Sequence, residues 1–133
     1  MKPIVVSGKR KRAIAKATVR PGRGIIRINN LLLENYSPPI SKLKLKEPLI
    51  LAGDIANKVD ISIRVLGGGI SSQADASRLA IAKGLVEFSK DEKLRQDFLS
   101  YDRSLLVADI RRKEPAKPNR HGQARAKVQK SYR

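Results

Sequence analysis

Three stretches of this sequence hold residue types that could do chemistry, and they favour anion binding. The run Lys9-Arg10-Lys11-Arg12 places four cations side by side, and phosphate is the natural counter-ion of such a run. Gly67-Gly68-Gly69 precedes a helical pattern, where backbone N–H groups could hold a phosphate. His121, the only histidine, has no indicated carboxylate or hydroxyl partner, so neither a catalytic triad nor a metal site is expected.

The three glycines permit more than one interpretation. Their spacing is neither G-x-x-x-x-G-K-[ST] nor G-x-G-x-x-G with a later acid, so nucleotide binding is only weakly indicated. A tight turn that lets a helix approach a sheet is favoured, and an RNA phosphate at the helix start stays open. The stretch Gly69 to Ala74 is faintly similar to a turn of small-metabolite kinases. A small kinase is the enzymatic alternative, and ATP binding by calorimetry would favour it.

The glycines are flanked by a predicted strand and a predicted helix that form the centre of the fold. Ile61, Ile63 and Val65 alternate with polar residues, which is typical of a half-buried strand. Ser71 or Ser72 could cap the helix that follows. Its inward face is predicted to comprise Ala74, Ser77, Ile81, Leu85 and Phe88.

The flanking segments predict further strands and helices. Residues 4–28 predict a hairpin with Lys9–Arg12 on one strand and Arg23 at its tip, and Asn29-Asn30 can turn the chain again. Ile40–Leu45 suggests a short helix, and Pro48 fits the start of another that Gly53 ends. Further predictions are a helix capped by Asp91 over Glu92–Tyr101 and a last strand at Leu105–Ala108.

Charge divides the chain into a balanced body and two basic ends. The net charge is +17; residues 1–33 hold nine Lys or Arg and no acid, and residues 34–110 hold eleven of each sign. Residues 111–133 hold nine cations and one acid, with few large apolar residues. We therefore predict a globular domain over 1–110 and an extended basic tail over 111–133 that orders on a polyanion.

The same composition limits the cell compartment. The sequence has no cysteine, its longest apolar run is short, and its first residues lack a secretory pattern, so a cytosolic protein is the default expectation. No cofactor, metal or membrane segment is predicted. A free binder of nucleic acid or of anionic membranes is the other alternative, and a nonspecific cation of this kind should wash off a specific partner in moderate salt.

The combination of motifs resembles the ninth protein of the small ribosomal subunit. The similarity lies in Gly8-Lys-Arg-Lys-Arg-Ala, the Pro21-Gly22-x-Gly24 turn, Gly67-Gly68-Gly69-Ile-Ser-Ser-Gln-Ala and the closing Gln129-Lys-Ser-Tyr-Arg. It covers essentially the whole chain in the same order. The Ser-Tyr-Arg ending is similar to the archaeal and eukaryotic branch, and serine and aspartate stand at positions 72 and 75, where the bacterial branch usually has glycine.

The resemblance implies an α+β fold, a two-layer sandwich with helices on one face of a mostly antiparallel sheet. It also implies a left-handed βαβ crossover, as in the ribosomal protein five domain-two-like fold. The implied role is structural and not enzymatic, in the small subunit of the cytoplasmic ribosome, beside neighbouring head proteins and without homo-oligomers. The implied RNA is the 3′ domain in the head, and the tail tip Ser131, Tyr132 and Arg133 would approach peptidyl-site tRNA.

The residues predicted to bind RNA belong to four groups along the chain. They are the N-terminal cations, the three glycines, the start of the tail and the rest of the tail. In sequence order they are Lys9, Arg10, Lys11, Arg12, Lys16, Arg23, Gly67, Gly68, Gly69, Arg111, Arg112, Lys113, Lys117, Arg120, His121, Arg125, Lys127 and Lys130.

Overall fold

The computed structural model describes residues 2–118 and residue 124, and it places one five-stranded sheet beside three α-helices. Short 3-10 turns follow β4, α1 and α3. The elements are β1 Ile4–Arg10, β2 Ala13–Pro21, β3 Ile26–Ile28, β4 Leu31–Leu32, α1 Pro39–Ala52, β5 Val59–Leu66, α2 Ile70–Ser89 and α3 Glu92–Tyr101.

The sheet has the strand order β1-β2-β5-β3-β4. Every neighbouring pair is antiparallel except β3 and β5, which run parallel. A parallel pair needs a crossover connection, and here the chain between β3 and β5 includes β4 and α1. The mixed α+β class and the mostly antiparallel sheet are confirmed, while the left-handed crossover stays a prediction.

One face of the sheet is buried and the other is exposed. Small side chains on β2, among them Ala13, Ala15 and Ala17, are fully buried and let α2 lie close. A Cβ added to Gly8 would lie 2.3 Å from the carbonyl oxygen of Ala76, so the backbones of β1 and α2 are in near contact. The core therefore forms between the sheet and α2, with α1 and α3 packed on that helix.

The central strand and helix are as predicted, apart from the helix cap. Ala74, Ser77, Ile81 and Leu85 are buried, and Phe88 packs against the core. The cap prediction was wrong, because Ser71 and Ser72 lie inside α2 and Gly69 holds the cap position without any side-chain bond. The helix starts earlier than predicted since glycine accommodates the turn directly before it.

The predicted N-terminal hairpin was wrong in its turn. Lys11 and Arg12 form the turn between β1 and β2, with Lys11 at a φ of 53°, so only Lys9 and Arg10 of the cationic run lie on a strand. Arg23 is not at a hairpin tip, because β5 lies between β2 and β3. The Asn29–Asn30 turn is confirmed: both residues have positive φ and join β3 to β4.

Three further predictions concern the helices and the last strand. The two helices predicted around Pro48 are one helix, α1, because proline is tolerated inside it at a buried position, and Gly53 ends it as expected. The cap of α3 is confirmed, since Asp91 accepts a hydrogen bond from Lys93 N–H. The predicted strand at Leu105–Ala108 is absent; Leu105 ends a 3-10 turn and buries its side chain without pairing.

Candidate nucleic-acid interface

Three segments that are far apart in the sequence line one open cleft. Its volume is about 720 Å³, and it lies where the β1–β2 turn, the glycine loop and the chain after α3 meet. Within residues 2–118 and 124, the lining is made of cations, glycines and one serine, with no acid. The residues are Arg10, Lys11, Arg12, Gly68, Gly69, Ser72, Arg111, Arg112 and Lys113.

Backbone packing fixes the β1–β2 turn against the glycine loop. Gly67 and Gly68 have φ values of 79° and 68°, which side chains rarely adopt. A Cβ on Gly67 would lie 2.5 Å from the carbonyl oxygen of Arg12, and one on Gly68 would lie 3.1 Å from Ala13 N. These two glycines therefore serve the tight-turn role that the sequence favoured, and they hold the cations at the start of α2.

Gly69 differs from the other two glycines because it faces open space. Its backbone is extended, and a Cβ there would meet nothing within 4 Å. No side chain caps α2, and its first turn contains no acid. Gly69 and Ser72, at the start of this 20-residue helix, line the cleft together with its cations, an arrangement that suits an anion.

Arg10 forms intramolecular ion pairs with two acidic side chains. Its Nη1 lies 2.7 Å from Asp109 Oδ2, and its Nε lies 3.9 Å from Asp75 Oδ2. The Nη1–Oδ2 contact is an ion pair that lacks hydrogen-bond geometry. Because the Arg10 side chain is only 19% exposed, it acts mainly to fix the segment around Asp109 against β1.

Asp109 also organises the start of the tail. Its carboxylate accepts bonds from Arg111, at 2.9 Å from Nε and 3.0 Å from the backbone N–H. These bonds, with the charge of Arg10, hold the pKa of Asp109 far below its usual range. Among the described residues Arg112 donates only to backbone carbonyls, so no carboxylate there neutralises its charge. Lys11, Arg12 and Lys113 have no ion pair with another described residue.

The structure separates some residues that the sequence grouped with the cleft. Lys9 and Lys16 point to the exposed face of the sheet, as the alternation of β1 and β2 dictates. Arg23 lies beyond the far end of β2, about 30 Å from the hairpin turn at strand spacing. Lys117 is exposed and does not line the cleft.

The remaining predicted residues lie outside the described part of the chain. They are Arg120, His121, Arg125, Lys127, Lys130, Ser131, Tyr132 and Arg133.

Sequence reasoning missed the two acids that position the cations. Asp75 lies on α2 and Asp109 lies just before the basic segment, and both contact Arg10. The only sequence feature that could have indicated a role for Asp109 is its position just before an unbalanced cationic run. Nothing in the sequence indicated that Asp75 faces β1.

Family comparison decides among the alternatives. The chain matches the family model described as ribosomal protein S9/S16 over residues 8–133. The chain belongs to the ribosomal protein S9/S16 family. This member is therefore a ribosomal protein, a structural constituent of the cytoplasmic ribosome and not an enzyme, so the kinase alternative falls away.

Three curated relatives agree with this assignment. Each is called small ribosomal subunit protein uS9, and they come from the C7, C5 and S2 strains of Methanococcus maripaludis, an archaeon. Each is 52% identical to this family member over 134 aligned positions that cover both chains completely. The resemblance drawn from the motifs is thereby confirmed.

The described part of the chain contains neither a membrane-spanning helix nor a cluster of metal-ligating side chains. No helix there has the length and apolar composition to cross a bilayer. No group of three or more His, Cys, Asp or Glu side chains in residues 2–118 and 124 could hold a metal ion.

Proposed function

We propose that this family member binds RNA of the 3′ domain in the head of the small subunit, and that the basic cleft is its main RNA site. The relatives' names assign those proteins to the small ribosomal subunit. The observation that carries the proposal is the convergence of the hairpin turn, the glycine loop and the tail start on one acid-free cleft. Contacts are to phosphate and RNA shape, because lysine, arginine and backbone N–H groups dominate the lining.

The salt dependence of binding to a transcript of the 3′ domain tests this site. The variant Lys11→Gln/Arg12→Gln removes two cations that have no acidic partner among the described residues. Each phosphate contact contributes about 1 to the slope of log K against log salt, so the slope should fall by about 2. The affinity at moderate salt should fall with it.

A matched control removes the same charges elsewhere. Lys93→Gln/Arg95→Gln changes one lysine and one arginine that are exposed on α3 and do not line the cleft. The control should keep the wild-type slope. Equal losses for both variants would mean that binding follows total charge, and the cleft would no longer be the RNA site.

We further propose that residues 1–110 form the globular unit and residues 111–133 a basic tail whose tip contacts peptidyl-site tRNA. The tail holds nine cations and one acid, and its first residues leave the body through the cleft. The tip supplies Tyr132, which can stack on a base, and Arg133, whose planar fork matches phosphate. The protein acts as one copy among neighbouring head proteins.

Deleting Ser131–Arg133 tests the tRNA contact separately from RNA docking. Subunit assembly should be unchanged, because the cleft is intact, and tRNA should dissociate faster from the peptidyl site. Arg133→Lys, which keeps the charge, serves as the control. If dissociation of tRNA keeps its wild-type rate after the deletion, the tip has no such role.

A further inference from the structure

The exposed face of the sheet carries a second set of cations, and none of them lines the cleft. This open sheet face is formed by the side chains of β1, β2, β3 and β5 that point away from the helices. Its basic members lie at strand spacing over about 30 Å, the length of the nine-residue β2. They are Lys9, Lys16, Arg20, Arg27 and Arg64.

Two of these cations lie directly opposite each other. Lys16 on β2 and Arg64 on β5 are register partners, and both side chains are exposed. Like charges at such a pair repel across about 5 Å. Neither residue has an ion pair with another described residue. An arrangement that costs stability in the free protein indicates that an anion neutralises it in the working assembly.

The one acid in the strands does not balance these charges. Asp60 lies opposite Arg20, yet its Oδ1 accepts hydrogen bonds from the backbone N–H groups of Arg23 and Ile25. Those bonds lower the pKa of Asp60, and the bond from Ile25 has the larger effect. They also direct the carboxylate to the loop. Asp60 stays ionised, but one acid stands against five cations, so the open sheet face keeps a net positive charge.

The rest of the face suits a sugar–phosphate backbone. Hydroxyls of Thr18 and Ser62 are register neighbours, and Arg27 continues the same row. The five strands contain no aromatic residue, so this sheet lacks the stacking platform used for splayed single-stranded bases. Double-stranded RNA, recognised through phosphates and 2′-hydroxyls, matches a face of cations and hydroxyls.

We propose that the open sheet face binds the backbone of a double-stranded RNA segment different from the one in the cleft. The alternation of β1 separates the two sites: Arg10 turns to the helices and the cleft, and Lys9 turns to the open face. The protein then holds two RNA segments on opposite sides of its sheet. This inference rests on the proposed function, and the experiments below distinguish the failure of each.

Charge favours RNA over an acidic protein as the occupant. Val5, Ile14 and Leu66 are exposed on this face at 66%, 42% and 69%, and apolar side chains could also meet a protein. The repelling Lys16–Arg64 pair and its continuation along the sheet, however, require regularly spaced negative charge. A phosphate backbone supplies that spacing, and an acidic protein is kept as an outcome of the test.

Tethered hydroxyl-radical probing on assembled subunits locates each face on the RNA. The chain has no cysteine, so Ser62→Cys and Ser72→Cys each give a single attachment point for an iron chelate, on the open sheet face and in the cleft. We expect two separate sets of cleaved nucleotides, and the Ser62→Cys set should fall on both strands of a helix. Absence of RNA cleavage from Ser62→Cys, with cleavage from Ser72→Cys, would overturn the inference and leave the proposed function standing.

Binding and stability of Lys16→Gln/Arg64→Gln give an independent readout. We expect the salt slope on the 3′-domain transcript to fall by about 2, as for the cleft variant, and the unfolding midpoint of the free protein to rise because the repulsion is gone. A slope like that of the Lys93→Gln/Arg95→Gln control would overturn the inference. So would unchanged RNA binding with reduced incorporation into subunits, which would assign the face to a protein.

Discussion

At the scale of single residues, the four cations of Lys9–Arg12 have different roles although they are adjacent. Arg10 is held by Asp75 and Asp109 and is mostly buried, and Lys11 is exposed at the turn. The chain direction explains the difference: β1 alternates, so only every second side chain can reach α2. One of the four residues thus positions the tail, and its neighbours remain available to a ligand.

Replacing Arg10 by glutamine should lower the free energy of unfolding by about 1 kcal/mol, because it removes the ion pairs with both Asp75 and Asp109, while those acids keep Lys44 and Arg111 as partners. Lys11→Gln is the control and should stay within about 0.5 kcal/mol of the wild type. Urea unfolding at pH 7 measures both. Equal stabilities of the two variants would mean that the contacts of Arg10 do not hold the segment around Asp109.

Asp60 makes stability depend on acid in a defined range of pH. Backbone N–H groups of Ile25 and Arg23 lower its folded pKa, so its ordinary unfolded value of about 4 lies above the folded value. Its contribution is complete above about pH 4 and is lost as the pH falls through the folded pKa. Between pH 7 and pH 2.5 the wild type should lose more stability than Asp60→Asn. Parallel curves for the two proteins would contradict this.

At the scale of elements, the β1–β2 turn and the glycine loop are one structural unit. The carbonyl of Arg12 and the backbone of Gly67 are in contact, so the basic turn has a fixed position relative to α2. Position along the loop decides the role of each glycine: Gly68 has a positive φ and close neighbours, and Gly69 has neither. The loop therefore combines a packing requirement with an open helix start.

Alanine should lower stability at position 68 and leave it nearly unchanged at position 69. Gly68→Ala should lower the free energy of unfolding by about 1–2 kcal/mol, because alanine resists this φ and meets Ala13. Gly69→Ala should stay within about 0.5 kcal/mol of the wild type. Chemical denaturation of both variants checks this. Similar losses at both positions would show that the loop is constrained as a whole.

At the scale of the whole molecule, the apolar core lies between two basic surfaces. Among the described residues, those that are fully buried lie between Ala13 and Leu105, and none of residues 111–118 belongs to the core. The cleft lies on the helical side of the hairpin and the open sheet face on the other. This arrangement would allow each basic surface to contact a different RNA segment.

Removing residues 119–133 should separate the stability of the body from its RNA binding. The midpoint of thermal unfolding should stay unchanged, since every core residue of the described part of the chain is kept. The salt slope on small-subunit RNA should fall by up to about 5, one for each of the five cations removed. A lower midpoint would show that the removed segment stabilises the body, and an unchanged slope would show that it does not bind RNA.

The pattern of residues determined the elements with strong local periodicity. The alternation before Gly67 gave β5, the inward face from Ala74 to Leu85 gave α2, and Asp91 gave the start of α3. Each depends on residues within one or two turns of one another, so neighbouring side chains are sufficient to specify it. The basic ends and the family also followed from residues alone.

The tertiary structure decided which elements meet. No local pattern shows that β5 separates β2 from β3, that Asp75 and Asp109 reach Arg10, or that Lys16 faces Arg64. Those contacts join residues 35 or more positions apart, and strand pairing and core burial select them from many alternatives of similar local energy. The sequence alone determined that this protein is a basic ribosomal protein; only long-range packing decided how its cations are divided between a cleft and a sheet face.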